Sequence, residues 1–102
     1  MPSTAAISTL DAQLATLGQR LRNARLRRNL TMAQVAERAD MSRETLTRLE
    51  CGAGTSLAAL LAVLRVLKLD ADLDAIARDD ALGRKLQDLG LPQRARAPRQ
   101  RG

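Results

Sequence analysis

Three hydroxyl residues punctuate this chain. Thr31, Ser42 and Ser56 each stand one residue ahead of a run whose apolar positions recur every three or four residues. A side-chain oxygen at that place accepts from a free backbone N–H of the first turn, so each marks a helix start. Only ten residues separate the first two caps, enough for one short helix and a tight turn. The segment 31–50 therefore predicts two helices, 32–39 and 43 to about 50, joined by a turn at Asp40 and Met41. Ala33, Val35, Ala36 and Ala39 keep the inner side of the first helix small, so the second can cross it steeply. Asp40 stands where such a turn needs a left-handed backbone, which Asp tolerates at moderate cost. Ser42 caps a second helix whose Leu46 and Leu49 face inward, leaving Arg43, Glu44, Thr47 and Arg48 outward.

The remainder also reads as helix. No stretch alternates with period two, and Val and Ile together number five. Ile7, Leu10, Leu14, Leu17 and Leu21 predict a first helix over about 9–28, with Ser8 and Asp11 as a capping box. Gly18 leaves open whether that helix is continuous or broken. A fourth helix over 57–67 has Leu57, Leu60, Leu61, Leu64 and Leu67 as a core stripe, with Val63 and Val66 off it. Apolar on two faces, it has either a second copy of the chain against it or helices one and five covering both sides. The first option makes Leu57, Val63, Val66 and Leu69 the dimer contact. Asp70, Asp72 and Asp74 crowd the start of a fifth helix reaching Ile76 and Ala77, and a weaker sixth spans 81–89. The expected architecture is all-α. It comprises a partly helical extension (1–16), a five-helix domain (17–78), a helical segment (79–92) and a disordered basic tail (93–102).

Composition narrows the partners. A net charge of +6 on 102 residues favours a polyanion, nucleic acid ahead of membrane. Residues 19–28 hold five Arg and no acid, a pattern that fits phosphate contact better than a solvated face. The tail is either a solubilising end or an auxiliary contact to the DNA backbone or minor groove. The chain has no Phe, Tyr or Trp, so it lacks the stacking platforms of single-strand and RNA modules. It has no His and one thiol, Cys51, so no cofactor or metal cluster is expected from the usual ligands. Cys51 reads as structural or incidental, with a redox sensor as the alternative. Without a nucleophile–base pair or a Gly-rich phosphate loop, an enzyme is not expected, and Asp79-Asp80 reads as a surface turn. With neither a signal peptide nor a membrane-length apolar run, the expectation is a soluble cytoplasmic protein.

A wider set of positions carries a resemblance. It runs from Leu17-Gly18-Gln19-Arg20-Leu21-Arg22 through Arg25, Asn29-Leu30-Thr31, Val35-Ala36, Ala39, Ser42, Thr45-Leu46 and Leu49-Glu50 to Gly52 and the leucines of 56–69. This block, about half the chain, resembles the Cro/CI-type, or XRE-like, family of helix-turn-helix regulators. The resemblance implies a five-helix, dimeric, double-stranded-DNA-binding domain. It makes Arg43, Glu44, Thr47 and Arg48 the base-reading candidates. Met32 stands where the family usually has a phosphate-contacting Gln, and Asp40 where it usually has Gly. Chemically, Arg43 suits guanine O6 and N7, and Thr47 a thymine methyl. Glu44 either accepts from cytosine N4 or, the simpler option, pairs with Arg48 four residues on. Ser42 and Thr45 suit phosphate, as do Arg22 and Arg25, and Thr31 and Met32 complete the expected DNA-binding set. Glu50 is expected to be structural, paired with an Arg of helix one. Two functions fit: a transcriptional repressor, or an antitoxin that neutralises a partner toxin and represses its own operon.

Overall fold

The computed structural model describes residues 5–91, with side chains from Thr9 onward. The tail expected at 93–102 lies outside the described residues. The elements are α1 (Ala5–Arg27), α2 (Met32–Arg38), α3 (Arg43–Cys51), α4 (Leu57–Val66), α5 (Ala71–Asp74) and α6 (Ala81–Asp88). All are helices, as expected, and no strand occurs among the described residues. None of these helices is long and apolar enough to cross a membrane.

The three hydroxyl caps form. Thr31 accepts from the Gln34 N–H while the Gln34 side chain accepts from the Thr31 N–H, closing a full capping box. Ser42 and Ser56 accept from the N–H groups of Thr45 and Ala59. The helix start expected at Ser8 is displaced, because α1 begins at Ala5 and runs through Ser8 and Asp11. Among the described side chains of its apolar stripe, Leu17 and Leu21 reach the core and Leu10 is exposed.

Four helices end by one device. A residue at positive φ reverses the chain: Asn29 (56°), Asp40 (57°), Gly52 (77°) and Lys68 (64°). In each case its N–H and that of the next residue bond back to carbonyls of the last turn. Asp40 donates to Glu37 O at 3.1 Å and Met41 to Ala36 O at 2.9 Å. This satisfies carbonyls that a helix end otherwise leaves open. The residue that follows is Leu30, Met41 or Leu69 in three cases, and each packs against the core. Three of the four stops thus end a helix and deliver an apolar side chain to the centre.

That centre is built from Leu21, Val35, Leu46, Val63, Leu64 and Leu67, with smaller partners. Helix α1 packs on α3, and α2 on both α3 and α4. Helix α1 is continuous through Gly18, which settles the alternative its sequence left open. A Cβ at Gly18 would meet the Glu50 carbonyl oxygen, and that of Leu49 at 2.6 Å. Gly52 answers from the other side, since a Cβ there would lie 2.8 Å from Ala15 Cα. The two backbones touch, and this close approach offsets the roughly 1 kcal/mol that Gly costs inside a helix.

Arg25 and Glu50 form a buried ion pair between the same two helices. Nε donates to Oε2 at 2.7 Å and Nη2 to Oε1 at 3.0 Å, while Nη1 donates to the Leu30 carbonyl at 3.0 Å. Glu50 is thus paired with an Arg of helix one, as expected. The hydrogen bond to Glu50 holds the Arg25 guanidinium above its ordinary pKa, against the burial that pushes it down.

Helix α4 turns differently from the expected stripe. Val63 is 1% exposed and sits in the core with Leu64 and Leu67, whereas Leu57 is 73% exposed. Val63 is therefore no dimer contact, and Val66 and Leu69 also pack against the core. The cause is α2, which packs against α4, while α5 is a single turn ending short of Ile76.

Gly18→Ala is expected to cost about 1–3 kcal/mol, because the methyl meets backbone that cannot rotate away. Glu50→Ala is expected to cost about 3–5 kcal/mol by stranding a buried guanidinium. Urea denaturation measures both, and wild-type midpoints would refute this packing.

Candidate nucleic-acid interface

A short helix can enter a DNA groove only if one side is anchored and the other carries polar groups that nothing inside the protein claims. Helix α3 meets both conditions. Leu46, Leu49 and Glu50 are buried on its inner side. Arg43, Glu44, Thr47 and Arg48 are exposed on the other, with 43 and 47 forming one row and 44 and 48 the next. The expected Glu44–Arg48 ion pair does not form; the ion pairs among the described residues are Arg25–Glu50 and Arg84–Asp79. An exposed pair at that spacing is worth only about 0.3–0.5 kcal/mol, less than ordering two long side chains can cost. Both groups are left uncommitted on the outer face.

The start of α3 presents a compact polar end. Ser42 Oγ accepts from the Thr45 N–H at 3.1 Å and shares a 2.9 Å hydrogen bond with the Thr45 hydroxyl. The N–H groups of Arg43 and Glu44 precede the first intrahelical bond, that of Leu46 to Ser42 O. Free N–H groups at a helix start attract an anionic oxygen.

Two shallow hollows bring the remaining expected residues together. Arg43 lines one with Thr31, Met32 and Ala33 at the start of α2. Arg22 and Thr47 line the other with Gln19, Met32 and Cys51. Met32 is half-buried between them and packs against the core, so it serves as floor where a Gln would offer an amide. Arg25 lines both hollows, but its guanidinium is bound to Glu50 and Leu30. The expectation that it contacts phosphate is corrected: Arg25 is buried and each of its three nitrogens is already bonded within the protein, which leaves it badly placed for a DNA backbone oxygen. Arg20, Arg22, Arg27 and Arg28 remain exposed from that cluster. Arg28 bonds the Ala24 carbonyl at 2.8 Å.

Gln19 was absent from the expected set. It is exposed beside Arg22 and Thr47, its amide 3.2 Å from Asn23 Oδ1. The signal was its place three residues before Arg22 on the same helix face.

Two short capped helices, α2 and α3, cross through a tight left-handed turn with the outer face of the second uncovered. That arrangement defines a helix-turn-helix. The sequence matches the helix-turn-helix domain family over residues 16–76, and the chain belongs to that family. Comparison with curated proteins found no match. The family domain supports DNA binding, and it ends before α6.

Arg22→Ala and Arg25→Ala are expected to separate. The first keeps the wild-type melting temperature, weakens all duplexes alike and lowers the salt slope by about 1. The second lowers stability. Paired melting and salt-titration curves distinguish them, and a changed base preference for Arg22→Ala would contradict its assignment.

Proposed function

We propose that the protein is a sequence-specific double-stranded DNA-binding regulator, a dimeric repressor that reads a palindromic operator with α3 in the major groove. One observation carries the reading: a capped helix is anchored from behind while its outer face, Arg43, Glu44, Thr47 and Arg48, is exposed and has no ion-pair partner among the described residues. Arg43, one residue inside the helix, reaches guanine O6 and N7 in bidentate fashion. Glu44, without its expected partner, accepts from cytosine N4, and Thr47 meets a thymine methyl. Ser42, Thr45, Thr31 and Arg22 hold phosphates and set the register. Two copies related by a two-fold axis present their α3 helices about 34 Å apart, matching successive major grooves on one side of the duplex. A dimer so seated represses by occupying its site.

The exposed leucines of α6 favour a second reading, an antitoxin that also covers a partner toxin. A co-purifying toxin whose activity the chain suppresses would establish it.

Selection of bound duplexes from a random pool at fixed salt tests the main reading. An enriched palindrome with half-sites one turn apart is expected, and no enrichment would refute it. Arg43→Ala is expected to cost about 1–3 kcal/mol at one base position and relax selection there. Uniform weakening across operator variants would remove Arg43 from the base-reading set.

A further inference from the structure

Helix α6 is a specified element on which no described helix packs closely. Asp80 caps its start by accepting from the Gly83 N–H at 2.9 Å, and Gly90 reverses the chain after its end at φ 74°. None of its residues is buried. Leu82, Leu86 and Leu89 follow at spacings of four and three and are 68%, 43% and 68% exposed; Ile76 before the helix and Leu91 after it are exposed as well. A helix of eight residues is not stable alone in water, so a packing partner is required.

Three occupants fail on composition. The eleven residues that follow Leu91 contain no Leu, Ile, Val or Met, so they cannot cover a leucine row. Residues 70–91 carry six Asp against three cations, a balance that repels DNA and anionic lipid. The remaining requirement is a surface both apolar and charge-complementary to this acidic arm, and the chain carries one itself. Exposed Arg38, Arg65 and Lys68 surround a hollow floored by Ala39, Ala62 and Val66, between the ends of α2 and α4. None of the three forms an ion pair among the described residues. Asp70 stands at its edge, and Asp72 and Asp74 follow in sequence on α5. A chain that carries a basic patch, an acidic segment and an uncovered apolar row can satisfy all three against a two-fold copy of itself.

We propose that residues 70–91 are the surface through which two copies pair. The leucines of α6 form the centre, and the acidic α5 of each copy faces the Arg38, Arg65 and Lys68 hollow of the other. The arm's 22 residues match the roughly 20–30 a side of a standard interface. The inference rests on the dimeric part of the proposed function and moves the centre of its contact from α4 to α6, keeping only the Arg65 end of α4.

Sedimentation equilibrium of the full chain without DNA tests it. The wild type is expected to be dimeric at tens of micromolar. Leu82→Glu with Leu86→Glu is expected to be monomeric, with dimerisation weakened about a hundredfold or more and the domain's melting unchanged. A chain carrying Arg65→Glu and Lys68→Glu and another carrying Asp72→Arg and Asp74→Arg are each expected to be monomeric, and to form a heterodimer when mixed. A monomeric wild type, a leucine variant that stays dimeric, or a mixture that fails to pair would overturn the proposal. Because assembly is read without DNA, a dimeric wild type with this variant pattern that binds no duplex supports the contact while refuting the DNA reading.

Discussion

The Arg25–Glu50 ion pair is the interaction on which the arrangement of this domain depends. One guanidinium ties together α1, the connector at Leu30 and the inner side of α3. Burying two charges is costly, and such a pair often adds little net stability over an apolar replacement. What it imposes here is position. Two parallel hydrogen bonds fix the rotation of α3 about its axis, and that rotation decides which residues face outward. A slip of one residue would turn Leu46 toward solvent and Arg43 toward the core.

The core makes such a clamp necessary. With no aromatic side chain in the chain, contacts come from Leu, Val and Ala, and the helices must approach closely to make them. Gly18 and Gly52 permit that approach where α1 crosses α3, while Leu30, Met41 and Leu69 enter from the helix ends. Backbone contact, buried ion pair and helix stops all bear on the one helix whose outer face is free. The charge is divided along the chain as well. Basic groups line the α1–α3 side, and the arm from Asp70 is acidic.

Local chemistry was legible in the sequence. The hydroxyl caps, the left-handed turn at Asp40 and the inward Leu46 and Leu49 follow from rules that act within a few residues. The identity of the α4 core face did not follow, because Val63 and Leu61 are equally apolar and only the placement of α2 separates them. Arg25 looks in the sequence like any of five neighbouring Arg, since nothing local distinguishes a buried Arg from an exposed one; its partner lies 25 residues away. The Glu44–Arg48 pair failed for the opposite reason, a local rule too weak to order two exposed side chains. Base-reading and phosphate roles depend on a partner that no feature of the isolated chain encodes.

The central claim, that α3 is the reading element, is tested most directly by mapping amide chemical shifts of the isotopically labelled chain on titration with a selected duplex. Perturbations concentrated at residues 31–33 and 42–48, with Gln19 and Arg22 beside them, are the predicted result. Perturbations centred on α4 to α6, with Arg43, Thr47 and Arg48 unmoved, would contradict it.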